Sequence, residues 1–418
     1  MNKKIITFLI VLIIIIITCC FIYCLEEYLI RADNGIPKLY ITGNINNMNE
    51  KTDKRQVYIK YRSADLNFDS YATLSIQGAY SINFDKKNYN ITFYSNDKFN
   101  EKKEVNFKWG NYKKYTLKAN WTDQLHGRNI VTANLAAQVY NKYNLFTTSV
   151  NNGFTDGFPI EIYENDKFLG LYTINLHKDF LLNLDEKNKN NLQLLSRGLN
   201  MTTFGKRDSK MWSNFEVEIG EENKENLAKL DRLISFINDS TPDEFVENFD
   251  KYFNMDSVLN YYCLMQFAQL TDNVVRNVML VTYDGEIWYT IPYDLELSWG
   301  NHYISSTTEK EKGEIILQDF DNSRLSELIN QSALWRRIQK FYPEEIKQRY
   351  AELREEIFTK ENIINQMNEF YNSIPSETLN KEHQKWNNQP DYDISYLEDY
   401  LDTRIKLLDE LFEYNLSI

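Results

Sequence analysis

Cysteine is scarce where it would matter. Of four cysteines in 418 residues, Cys19, Cys20 and Cys24 fall in one N-terminal apolar run, leaving Cys263 alone in the rest of the chain. An intramolecular disulfide or a cysteine-based zinc site is therefore excluded from that part. Histidine is equally sparse: His126, His177, His302 and His383 are scattered without metal-ligand spacing. A basic excess is also lacking. The net charge is −13, which argues against a nucleic-acid partner because a phosphate backbone needs a basic face. A nucleotide such as ATP, needing only a few local cations and Mg²⁺, stays open. There is no internal repeat, and no low-complexity tract beyond the N-terminal isoleucines.

Apolar and aromatic residues are plentiful, with 29 Tyr and 24 Phe, enough for a large core. Lys3 and Lys4 precede an uncharged run from Ile5 to Cys24. At 1.5 Å per residue it is long enough for a hydrocarbon core of roughly 30 Å. No small-residue cleavage site follows, so the expectation is an uncleaved transmembrane signal-anchor over residues 1–25 rather than a signal peptide. The flanking charges place the N-terminus in the cytoplasm and the body outside. Residues 26–37 form a tether. Strand-like segments LYITG, QVYIKYR, ATLSIQG, NYNITFYS and KYTLKA follow, and a hairpin runs from Phe158 to Ile174, so residues 38–180 read as a β-rich lobe. Residues 182–214 are polar and loop-like. Residues 181–418 read as a mostly helical lobe. A helix from about Arg128 to Tyr143 carries Val131, Leu135 and Val139 on one side. Another, capped by Asp256 and reaching Leu270, is apolar nearly all round and would be buried, with Cys263 as a core thiol.

That buried helix leads into the most informative stretch, Thr271 to Gly300. Val278 to Tyr283 and Glu286 to Ile291 are β-prone and flank Asp284-Gly285, a type I′ turn signal. A tight hairpin puts Asn277 opposite Pro292 and brings Asp294, just beyond, to the same open end. An amide carbonyl and a carboxylate side by side are oxygen ligands suited to Mg²⁺, and Asp272 sits close enough to act as a base. Glu296 alternates with Asp294 along an extended segment. Such a pair could also serve a glycoside hydrolase, although no carboxylate separation follows from sequence. Asp-x4-Asn alone carries little in a chain this rich in Asp and Asn, where an Asp after a strand is often a turn former.

The step from Asp272 to Asn277, a hairpin, then Asp294 resembles the core of protein kinases. More closely, Tyr293-Asp294-Leu295-Glu296-Leu297-Ser298-Trp299-Gly300 resembles the W-D-x-D-x-x-x-G element of the spore-coat protein H (CotH) kinase family, with Tyr for Trp and Glu for the second Asp. Gln77-Gly78-Ala79-Tyr80-Ser81 and Lys86-Lys87 match that family's glycine loop and P-K-K-x-Y segment in part. Trp121, Asp123 and Arg128-Asn129 match its W…D…R-N element, and Gly170-Leu171-Tyr172 its G-x-Y. The usual Glu after that Tyr is absent, the sequence reading Asn175-Leu176-His177-Lys178-Asp179. The Arg349-Tyr350 helix, Lys385-Trp386 and the final helix with Arg404 also resemble the family.

The resemblance implies an α+β, two-lobed atypical protein-kinase-like fold. It also implies transfer of the ATP γ-phosphate, with Mg²⁺, to Ser or Thr of coat or surface proteins. Asp272 would be the base. Asn277, Asp294 and Glu296 would hold metal, with Asp294 counted among the catalytic residues as well. Lys118 and Arg128 would face the nucleotide phosphates, and Lys178 could reach one. For Arg128 the bland alternative is a salt bridge with Asp123. For Gly78 and Lys86-Lys87 it is an ordinary hairpin with solvated lysines. Ser305 to Thr308 lie where kinases carry their activation loop. The missing Glu and altered glycine loop leave a second possibility, a kinase-fold binding or structural protein without catalysis.

Overall fold

The computed structural model describes residues 12–18, 35–45, 48, 50–78, 81–123, 125–197, 214–303, 315–317, 322–386 and 394–414. Most of the apolar N-terminal run, the loop residues 79–80 and Ser305 to Thr308 lie outside these. The expected membrane anchor is not supported. Of that run the structure describes residues 12–18, which are helical. Among the described residues no helix is long and apolar enough to cross a membrane.

The chain folds as a mixture of sheets and helices. The first strands are β1 (Lys38–Thr42), β2 (Lys54–Arg62), β3 (Asn67–Gln77), β4 (Asn88–Tyr94), β5 (Lys114–Lys118), β6 (Gly157–Glu164) and β7 (Lys167–Leu176). They alternate as the pattern predicts: Ser70, Ala72, Leu74 and Ile76 of β3 point inward, as do Tyr89, Ile91 and Phe93 of β4. These strands form a closed barrel in the order β1-β2-β3-β4-β5-β7-β6, rather than the layout of a kinase lobe. Every pairing is antiparallel except the last, where β1 lies parallel to β6. Inside that seam Glu161, fully buried, sits 3.8 Å from Lys38 and accepts from the hydroxyls of Tyr163 (2.7 Å) and Thr378 (2.5 Å). Closure removes the open edges that an unpaired sheet would present. An aromatic cluster fills part of the barrel, with Phe107 against Tyr115 at 4.7 Å and Tyr61 at 4.9 Å.

A second sheet has the order β11-β10-β8-β9, from β8 (Leu192–Arg197), β9 (Phe215–Ile219), β10 (Arg276–Thr282) and β11 (Tyr289–Pro292). The segment read as a loop therefore supplies a strand, with another at its far end. Leu192, Leu194 and Leu195 are buried, but the neighbouring polar residues hide the alternation. A short pair, β12 (Asn301–Tyr303) and β13 (Ile315–Leu317), follows.

The helices are α1 (Arg128–Lys142), α2 (Lys224–Asp239), α3 (Pro242–Asn248), α4 (Met255–Phe267), α5 (Ser323–Gln331), α6 (Ala333–Phe341), α7 (Pro343–Arg354), α8 (Lys360–Asn372), α9 (Ser376–Lys385) and α10 (Ile394–Leu411). In α4 every residue from Ser257 to Phe267 is buried, Cys263 included. Burial raises the Cys263 thiol pKa to about 12, so it stays protonated. The cap of α4 is Asn254, whose side chain accepts from Ser257 N at 2.9 Å. Asp256 lies one step inside and instead meets Arg349 of α7 at 2.5 Å.

Lys86 is no solvated lysine. Its ammonium is wholly buried, 2.5 Å from Glu382 of α9, and donates to the carbonyls of Ala119 (2.8 Å) and Leu171. The other oxygen of Glu382 accepts from Leu171 N at 2.7 Å. This joint ties the barrel to a C-terminal helix. Removing one partner strands the other's buried charge, at a cost of about 3–5 kcal/mol. Glu382→Ala is therefore expected to lower unfolding free energy by that amount in urea titrations, and Lys86→Met/Glu382→Leu to recover most of it. A loss under about 1 kcal/mol in Glu382→Ala would contradict the assignment.

Candidate active site between the barrel and the second sheet

The hairpin forms, but not around the expected two-residue turn. Val278 pairs with Pro292 and Met279 with Ile291, a register one residue away from that predicted. Trp288 is the reason. It leaves the hairpin to bridge Phe253, receiving Asn254 N at 2.9 Å and donating its own N–H to Tyr252 at 2.8 Å. Asp284 stabilises the widened loop by accepting from Glu286 N (2.8 Å), Ile287 N (2.9 Å) and the Thr282 hydroxyl (3.0 Å). The open end is nonetheless as anticipated: Tyr293 N donates to Asn277 O at 2.9 Å, and Asp294 follows directly.

Asn277 (φ 52°) and Asp294 (φ 58°) both adopt the left-handed conformation, which short polar side chains tolerate best among non-glycine residues. Asp294 is not followed by an extended segment but by a turn, so it and Glu296 do not share the face of a strand. This turn is clamped to α1. Leu295 N donates to Asn129 Oδ1 at 2.8 Å, and the Thr132 hydroxyl meets Ser298 Oγ at 3.0 Å and receives Trp299 Nε1 at 2.7 Å.

Asp272 lies in a short 3-10 turn, Asp272–Val274, after α4. Its Oδ2 accepts from Asn277 Nδ2 at 2.8 Å, and Arg276 stands 4.0 Å away. A quarter of the Asp272 side chain still meets solvent, so a substrate could reach it. Lys118, at the end of β5, donates to Asp294 Oδ1 at 2.6 Å. Burial lowers the Lys118 pKa, but the Asp294 and Glu296 carboxylates outweigh it and raise it. Thr116, Asn129, Asn175 and Tyr293 line a crevice at the same place.

Carboxylates are in excess here. Burial, then the Asp294 charge, push the Asp272 pKa up to about 6 against Arg276 and the Asn277 bond. Burial also pushes Glu296 up to about 7, with Asp294, Asp123 and Asp272 adding to it and Lys118 opposing. Crowded negative charge and oxygen donors suit a hard divalent cation. Asn277 spends its NH₂ on Asp272 and Asp294 bonds Lys118 through Oδ1, so Asn277 Oδ1 and Asp294 Oδ2 are the oxygens a ligand could use. Among the described residues no group of three His, Cys, Asp or Glu is placed to hold a metal, so an ion here would draw further ligands from a bound molecule.

The structure thus brings Asp272, Asn277, Asp294 and Lys118 together, with Glu296 in electrostatic reach. The other two predicted cations are engaged elsewhere. Arg128 is buried and meets Asp123 Oδ1 at 2.6 Å, while Asp123 also accepts from the backbone of Leu125 (3.0 Å) and Arg128 (2.7 Å). Lys178 sits 2.6 Å from Glu218 of β9.

The family model described as CotH kinase protein matches residues 74–408, most of the chain. This chain belongs to the CotH kinase family. No curated protein matches it. As a CotH kinase family member it belongs among kinase-like proteins, and the matched region takes in the whole site, from Lys118 to Glu296. Sequence reading missed three parts of this family member's site. Glu218 lies next to the segment read as a loop, with no local signal. Asn129 and Thr132, one helical turn apart on α1, were hidden because their bonds reach across 166 and 167 residues. The Arg-Asn pair opening α1 was the available signal, and the Asn, not the Arg, is bonded to the 294–299 turn.

The raised acids give a pH signature. Between the ordinary carboxylate pKa near 4 and the folded values of about 6 and 7, the folded state binds more protons than the unfolded one. Stability in EDTA is therefore expected to fall as pH rises through that window. Tm measured from pH 4.5 to 7.5 should decline less steeply in Glu296→Gln, and an unchanged slope would count against a protonated Glu296.

Proposed function

We propose that this protein is an atypical protein kinase that transfers the γ-phosphoryl group of ATP to Ser or Thr hydroxyls of coat or surface proteins. The observation that supports it most is the convergence of Asp272, Asn277, Asp294 and Lys118 from three separate parts of the chain at one partly open site. Phosphoryl transfer asks for positioning and charge neutralisation more than covalent chemistry. Asp272 would accept the substrate hydroxyl proton, its raised pKa making it a better base near neutrality. Asn277 Oδ1 and Asp294 Oδ2 would hold Mg²⁺, with Glu296 beside them. Mg²⁺ would supply neutralisation of phosphate charge. Lys118 would orient Asp294 and add its own positive charge.

The test uses labelled ATP and Mg²⁺ with a generic acceptor. Asp294→Asn keeps a residue that tolerates the left-handed backbone and removes the negative charge. It is expected to lose transfer by about a hundredfold or more, and Asp272→Asn by about 10²–10⁴. Equal transfer by wild type and Asp294→Asn would sink the assignment.

One observation favours a second reading, a kinase-fold binding protein without transfer. Arg128 is paired with the buried Asp123 and Lys178 with the partly buried Glu218, which leaves Lys118 as the cation lining the crevice. The readings diverge in a thermal shift. A nucleotide site gives stabilisation by Mg-ATP that grows with concentration. Stabilisation without transfer selects the second reading, and no shift at millimolar Mg-ATP opposes a nucleotide site altogether.

A further inference from the structure

β5 and β7 present two faces. Outward, Lys118, Thr116 and Asn175 line the crevice just described. Inward, Leu117 and Tyr172 belong to the barrel core. On that inner side, where Tyr89 of β4 and Tyr172 of β7 reach the barrel's end, lies a separate cavity of about 560 Å³. That is a usual size for a small-molecule site, and barrel mouths are a usual place for one.

Its lining is not that of a packing void. Tyr89 is 5% and Tyr172 1% exposed; among the described residues neither hydroxyl is hydrogen-bonded, and neither is a sealed buried atom, so both open onto the cavity. Two hydroxyls opening onto one cavity offer a bound molecule the few convergent polar groups that a ligand site presents. Lys87, Lys167 and Lys385 stand around the mouth against Asp85 and Glu164. Glu164 already accepts from Ile45 N at 2.9 Å, and Lys87 donates to the carbonyls of Ile82 (2.8 Å) and Phe84. Lys86, beneath, is neutralised by Glu382. The rest of the wall is Ile45, Met48, Leu169, Asn165, whose side chain is bonded to the Gly43 backbone, and the Trp386 indole, anchored by its N–H to Leu169 O at 3.1 Å.

We propose that this barrel mouth is a second ligand site, for a planar organic anion such as an aryl phosphate or aryl carboxylate. Its charged end would accept from the Tyr89 and Tyr172 hydroxyls and pair with Lys167 and Lys385. Its ring would lie along Trp386. The site is distinct from the Lys118–Asp294 crevice and does not depend on phosphoryl transfer there.

The experiment titrates the full chain with phenyl phosphate and, separately, benzoate by calorimetry without nucleotide. Saturable one-to-one binding is expected for at least one of them, and none for benzyl alcohol, which carries the ring without the charge. Tyr89→Phe/Tyr172→Phe removes only unpartnered hydroxyls. It should keep wild-type thermal stability and weaken binding by about tenfold or more. Lys167→Ala/Lys385→Ala, altering the rim alone, should weaken it likewise and covers the case in which the tyrosine variant misfolds. Asp294→Asn should bind the anion as wild type does, and Mg-ATP should not displace it. The proposal is overturned if no saturation appears at millimolar anion or if benzyl alcohol binds equally. It is also overturned if both double variants bind like wild type, or if Asp294→Asn or Mg-ATP abolishes binding, which would place the anion in the outer crevice.

Discussion

The contact between Lys118 and Asp294 is the constraint around which the site is built. Across 176 residues it joins the last position of a barrel strand to the turn after the second sheet, at 2.6 Å. Lys118 is almost wholly buried, whereas Asp294 keeps about a quarter of its side chain exposed. A charge withdrawn from water that far has to be matched, or its burial costs more than the surrounding packing returns. The pair therefore fixes how the barrel and the second sheet face each other, and Asp294 can still present an oxygen outward.

The turn holding Asp294 could not keep its shape alone. Asp294 at φ 58° and Trp299 at φ 56° bracket it in the left-handed region, and such residues persist only where their surroundings over-determine them. The surroundings here are Asn129 and Thr132 on one side and Ala268, whose carbonyl accepts Trp299 N at 2.9 Å, on the other. Helix α1 is in turn fixed at its start by the buried Asp123–Arg128 pair. The helix, the turn and the end of α4 thus form one connected unit that sets the positions of both acids.

A second buried pair, Lys86 with Glu382, lies at the same end of β5, where Lys86 donates to Ala119 O one residue beyond Lys118. Together with Glu161, which gathers Lys38, Tyr163 and Thr378, it docks α9 against the closing seam. Charged groups around this end of the barrel are consumed internally. That explains how a chain with so many lysines and acids can bring a small set of them to a partly open site.

Local periodicity carried far. The alternation in β3 and β4, the all-round apolar α4, the buried Cys263 and the meeting of Asn277 with Asp294 at the hairpin's open end were all legible, because each depends on residues close in sequence or on one antiparallel fold-back. The hairpin register was not, since Trp288 pairs outside the hairpin with Phe253. Nor was the strand inside 182–214, which is recognisable only by its partners. The membrane anchor was expected from the N-terminal apolar run and is not supported, since among the described residues no helix is long and apolar enough to cross a membrane. What the sequence by itself determined was the identity of the chemical groups, the local elements and the family likeness. Barrel closure through β1 and β6, the diversion of Arg128 and Lys178 onto Asp123 and Glu218, and the clamp of Asn129 on Leu295 were decided by tertiary structure. Each joins residues or frees charges according to what lies nearest in space, and a buried charge or backbone N–H takes whichever partner the packing provides.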